Sequence, residues 1–111
     1  MEIAARTLTL RDGNNNVDIP IRIFTPKKQG VSAWSCHYEI GWPEGVEARD
    51  AWGIDSLQAI LLTLQAIGAD IYTSAYHKSG HLFHEVPGRG YGFPVPASLR
   101  AVLVGDDATF L

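Results

Sequence analysis

Three histidines and a carboxylate fall close together in the last third of the chain: His77, His81, His84 and Glu85. Imidazole nitrogens at such spacings can bind zinc. A helix running from 77 to 84 would place His77, His81 and His84 on one face. Ser79-Gly80 interrupts that helix, and in a strand His81 and His84 would point to opposite faces. The competing reading is a set of exposed histidines around a turn, and no cysteine joins them in a zinc-motif spacing. The single thiol, Cys36, would be a nucleophile only as a thiolate. It shares a strand face with Trp34, Tyr38 and Ile40, and apolar surroundings disfavour the thiolate, so it reads as a small core residue. Gly88-Arg89-Gly90-Tyr91-Gly92 is glycine-rich but lacks the Lys-Ser/Thr ending and the following helix of a phosphate loop. Tyr76, Tyr91 and Phe93 lie in the same aromatic third. They read first as core packing and second as contacts in a binding surface.

Gly53-Ile54-Asp55-Ser56-Leu57 carries another candidate. A serine after Gly-x-Asp at a helix start resembles the phosphopantetheine attachment motif of acyl carrier proteins, which would make Ser56 the attachment point. A phosphate there would be favoured by free amides and the helix dipole. The residues before it read as strands, whereas acyl carriers are helical bundles. The same letters are loosely similar to the Gly-Asp-Ser-Leu hydrolases, but Ile54 interrupts that motif. No Asp-x-x-His follows to supply a base, and a nucleophilic serine needs one in reach.

The elements that must position these residues are clearer. Residues 3 to 10 alternate as a strand, with Arg6, Leu8 and Leu10 on one face. A turn rich in Gly and Asn follows. Val17, Ile19, Ile21 and Ile23 alternate with polar residues as a second strand, completing a hairpin. Pro20 donates no ladder hydrogen bond and predicts an edge position or a bulge. Residues 34 to 42 alternate Trp34, Cys36, Tyr38, Ile40 and Trp42 with small or polar residues. Pro43-Glu44-Gly45 turns the chain into a strand from 46 to 52. Asp55 and Gln58 have capping-box spacing, which predicts a helix over about residues 56 to 67 with Gly68 as its C-terminal stop. Leu57, Ile60, Leu61, Leu64 and Ile67 form its inward face, and Leu62 lies off it. No charged residue occurs from Ser56 to Gly68, which predicts a helix covered on two sides or placed at a subunit interface. Past residue 69 the pattern weakens. A turn at 78–80, a strand at 81–86, an irregular stretch to 96 and a short helix or strand near 96–104 are expected. The tail 105–111 is expected to fray.

Composition bounds the function. Of 111 residues, 46% are hydrophobic and 19% charged, which is a globular composition. A net charge of −3 with no basic run beyond Lys27-Lys28 argues against nucleic acid and against an anionic membrane surface. No stretch is apolar enough to span a bilayer. The lone cysteine and a start without a basic-then-apolar leader point to the cytoplasm.

The ordered segments Arg6-Thr7-Leu8-Thr9-Leu10, Trp34-Ser35-Cys36-His37-Tyr38-Glu39-Ile40, Gly53 to Ala59 and Gly90-Tyr91-Gly92-Phe93-Pro94 resemble a family of short bacterial proteins catalogued as a domain of unknown function. The resemblance implies a free-standing cytosolic domain with no assigned activity or cofactor. The residues themselves predict one α+β domain over 1–111. An antiparallel sheet of about four to five strands, built from N-terminal hairpins, packs against one well-capped central helix. The expected function is a non-enzymatic interaction or accessory module without a cofactor. It would bind another protein or a second copy, with Leu62, Tyr76, Tyr91 and Phe93 as interface candidates. The alternatives are a metal-dependent binder or enzyme using His77, His81 and His84, and a carrier modified at Ser56.

Overall fold

Gly13 at φ 62° followed by Asn14 at negative φ makes the two-residue turn whose twist suits a hairpin, and it joins β1 (Glu2–Asp12) to β2 (Asn15–Phe24). In the computed structural model, which describes residues 1–111, β3 (Lys27–Gly30) leads into β4 (Ala33–Trp42). Pro43-Glu44 then turns the chain into β5 (Gly45–Gly53). A short β6 (Leu82–Phe83) completes a six-stranded antiparallel sheet, one strand more than the pattern predicts. β5 pairs along one edge of β4, while β2 and β3 share the other. β1 lies outside β2, and β6 covers only Thr9 and Leu10 of β1. The strand the pattern misses is β3, four exposed residues with no apolar alternation, while β6 is a shortened form of the strand expected at 81–86.

Pro20 sits in β2 between two neighbours, not at an edge of the sheet. Its missing N–H falls where the β2–β4 ladder has just ended, at Ile21 opposite Ile40. Gly41 makes room for the ring, since a Cβ there would lie 2.8 Å from Pro20 Cγ. A local end of pairing therefore does what an edge would have done.

Alternation sends Leu8, Ile19, Ile21, Cys36, Tyr38 and Ile40 to one face, where all are buried. The helix α1 (Ser56–Tyr72) covers this face over β4 and β5. Its start follows the capping prediction in part. Asp55 Oδ1 accepts from Gln58 N–H at 2.8 Å, but the Gln58 side chain accepts from Ile54 N–H, not from that of Asp55. Its end lies beyond the expected one. Gly68 does not stop the helix; it is buried inside it, and the chain stays helical to Tyr72.

The inward face also differs. Ala59, Thr63, Ile67 and Ile71 form the fully buried ridge, whereas Leu57 is 74% and Leu61 49% exposed. Close approach decides this. A Cβ on Gly53 would lie 2.5 Å from Ala59 N, and Thr63 Oγ1 sits 3.5 Å from the Cys36 carbonyl oxygen, so only small side chains fit between the first turns of the helix and the sheet.

After α1 come α2 (Ala75–Lys78), a single-turn-pair 3-10 helix at Ala97–Val102, and α3 (Gly105–Phe110). Leu99 and Leu103 turn inward, and Val102 is exposed. The tail expected to fray is instead helical, and its Asp107 is only 2% exposed.

Candidate functional site

The outer edge of β1 begins the site. Arg11 N–H donates to the His81 carbonyl, so alternation turns the N–H and C=O of Thr9, Thr7 and Ala5 to the same side. β6 meets that edge only at Thr9 and Leu10, which leaves Ala5 and Thr7 with no strand beside them. Above this free edge, on the helix side, is an apolar hollow of about 160 Å³ lined by Ala4, Ile23, Leu64, Phe93 and Pro94. Leu61 and Leu57, one and two turns before Leu64, extend the apolar surface along α1. Arg6 stands at the rim. Its Nη1 donates to the Tyr91 carbonyl at 2.9 Å and its guanidinium lies 5.3 Å from the Phe93 ring centre, with no carboxylate paired to it.

A second, polar cleft of about 630 Å³ opens at the far end of α1. Trp42 and Tyr76 stack there at 4.9 Å between centres, Trp42 Nε1 donates to Glu47 at 3.1 Å, and the Tyr76 hydroxyl donates to Glu44. Tyr38 donates to Asp70 at 2.6 Å. Burial holds the Asp70 carboxyl above the usual carboxylate range. Each of these acids has a hydrogen-bond partner within the fold.

The histidines do not converge. His81 is exposed, His84 lies 3.7 Å from Glu85 of its own turn, and His77 faces the interior. No three His, Cys, Asp or Glu side chains are arranged to hold a metal ion. The break at Ser79-Gly80 ends α2 and separates His77 from the others. Ser56 opens α1, as expected, but on a helix laid against a sheet and not in a helical bundle. Leu62 is half-buried and Tyr76 partly exposed, so both border the surface. Tyr91 and Phe93 are buried at 4% and 5%, and Phe93 reaches the outside only as a wall of the hollow. Cys36 is fully buried, with its Sγ 3.3 Å from the Phe24 carbonyl.

Two histidines titrate in opposite directions. His37, on the uncovered sheet face, has Nδ1 2.7 Å from Asp50 and Nε2 3.1 Å from Glu39. The hydrogen bond to Asp50, with Glu39 adding to it, raises its pKa above 6.5. Its contribution to stability is complete below pH 6.5 and is lost as pH rises through the raised folded value. Burial lowers the pKa of His77, whose Nδ1 lies 2.5 Å from the Tyr91 hydroxyl. The folded state then resists protonation, so stability falls as pH drops below 6.5 and levels off under the depressed folded value. Urea midpoints measured from about pH 5 to 8 should flatten on the alkaline side in His37→Gln and on the acidic side in His77→Gln. The same profile in both variants and the parent would refute these assignments.

Sequence reasoning missed the group that holds this end together. Asp107 accepts from Tyr72 Oη at 2.5 Å and from the amides of Tyr91 and Gly92 at 2.8 Å each. Burial, then the nearby Asp107, pushes the Tyr91 hydroxyl up to about 12. No helix is long and apolar enough to cross a membrane. No curated protein and no solved structure matches the chain. A family model does, over residues 4–95, which takes in the free β1 edge, α1 and the loop carrying Phe93. By that match the chain belongs to the family described as a domain of unknown function, DUF6968.

Proposed function

We propose that this protein is a non-enzymatic interaction module that takes an extended segment of a protein partner along the free edge of β1. The observation that carries the reading is the adjacency of unpaired strand groups at Ala5 and Thr7 to an apolar hollow rimmed by exposed leucines. Added strands gain affinity from main-chain hydrogen bonds and specificity from pockets for alternate side chains. A contiguous apolar surface beside such an edge supports protein binding over small-molecule chemistry. Arg6, without a carboxylate of its own, favours an acidic group next to the partner's apolar residue. The single unpaired, buried thiol supports a reducing, cytoplasmic setting.

Selection from a displayed random-peptide library against the purified protein is the test. Extended sequences combining apolar and acidic residues should be enriched. Leu61→Glu should weaken a selected peptide by roughly tenfold or more, the cost of one unburied apolar side chain. Its melting temperature should stay unchanged, because Leu61 is already half in water. A folded Leu61→Glu protein that binds as tightly as the parent would remove the stripe from the site, and a library yielding no binder would overturn the reading.

A further inference from the structure

β5 forms the opposite end of the sheet, and nothing pairs with its outer edge. Gly45 and Trp42 pair across a two-residue turn, so Gly45 and every second residue after it bond to β4. The N–H and C=O of Val46, Ala48 and Asp50 therefore point outward. We infer that β5 pairs antiparallel with β5 of a second copy, about a two-fold axis through Ala48, joining two sheets into one.

Charge sets this register. With the axis at Ala48, Glu47, which bridges Arg49 of its own strand at 3.2 Å, also faces Arg49 of the other copy on the helix side of the sheet. An axis at Glu47, Arg49 or Asp50 would put identical charges directly opposite, which is destabilising. Val46 then pairs with Asp50, and Ala48 with its own copy, giving about six backbone hydrogen bonds.

The helices supply the second argument. α1 lies over β4 and β5. With strands about 4.8 Å apart, the two α1 helices come within about two strand spacings, ~10 Å, the distance of packed helices. The ridge turned toward the axis is the one holding Asp70, which lines the same cleft as Glu47 and Arg49. At four-residue spacing that ridge runs Leu62, Ala66, Asp70. Leu62 is half-buried, Ala66 is small, and no charge interrupts the helix before Asp70. An uncharged, small-residue ridge at a free sheet edge suits a second copy of itself.

Cysteine cross-linking tests the axis. Cα atoms of directly opposed residues in such a pair lie about 5.5 Å apart, within disulfide reach. Ala48→Cys should give a covalent dimer with diamide, while Val46→Cys, whose own copy lies out of register, should not. Sedimentation at about 100 µM should show the parent as a dimer. Glu47→Arg should weaken it roughly tenfold, and adding Arg49→Glu should restore it. Leu62→Glu should also give a folded monomer. Leu61→Glu, on the other side of α1, should leave the dimer intact and so separates this contact from the β1 site. A monomeric parent, equal cross-linking at 46 and 48, or a dimer indifferent to Glu47→Arg would overturn the inference.

Discussion

Replacing Asp107 with alanine is expected to destabilise the protein by about 3–5 kcal/mol, because it strands three donors at once, two of them buried. The Tyr72 hydroxyl and the amides of Tyr91 and Gly92 all point at its carboxylate. Each unsatisfied buried group costs about 1–3 kcal/mol, with partial relief as the tail loosens. The effect reaches the candidate site, since Gly92 and Tyr91 set the path of the chain into Phe93 and Pro94. Asp106 is the internal control. It is exposed, its salt bridge to Arg89 is on the surface, and Asp106→Ala should cost under about 1 kcal/mol. Urea unfolding followed by circular dichroism gives both values. Equal, small losses at 106 and 107 would mean that the tail does not anchor the loop.

Gly68→Ala is expected to cost about 2–3 kcal/mol, opposite in sign to helix propensity. In an exposed helix the change would gain about 1 kcal/mol. Here the new methyl would lie 1.9 Å from the Pro94 carbonyl oxygen and 3.1 Å from Val95 Cγ1. Backbone cannot yield as a flexible side chain can, so the 94–95 segment must move off α1, and overpacking of this kind outweighs the propensity gain. The same movement should open the hollow that Pro94 helps to line. A stabilised Gly68→Ala protein would show that α1 and the Phe93 loop do not touch as described.

The strands that carry regular alternation were legible because one buried face imposes a period of two on β1, β2 and β4. The DUF-type resemblance likewise runs through the same ordered segments that the family model spans. The helix start was legible because Asp55 caps Gln58 locally. Its end was not. Gly68 looks like a stop, and only a contact with Pro94, far along the chain, shows that it is a point of close approach. The inward face of α1 was misjudged for a related reason. Hydropathy ranks Leu57 and Leu61 above Ala59 and Thr63, while helix-to-sheet distance favours the small pair. Asp107 is indistinguishable from Asp106 in sequence, since only burial separates them. The free edges are equally silent, because an edge is defined by which strand is missing beside it. Leu62 and Tyr76 stand out in sequence by misfit to the helix face and by aromatic character, and the fold leaves both bordering the surface.

Residue-resolved amide exchange on the protein, free and with a library-selected peptide bound, reads out whether a partner strand adds to β1. The proposal predicts slowed exchange at Ala5 and Thr7, whose amides face the open side of β1, and no change at Ala48 on the opposite edge. Tight peptide binding that leaves Ala5 and Thr7 exchanging as in the free protein would contradict it.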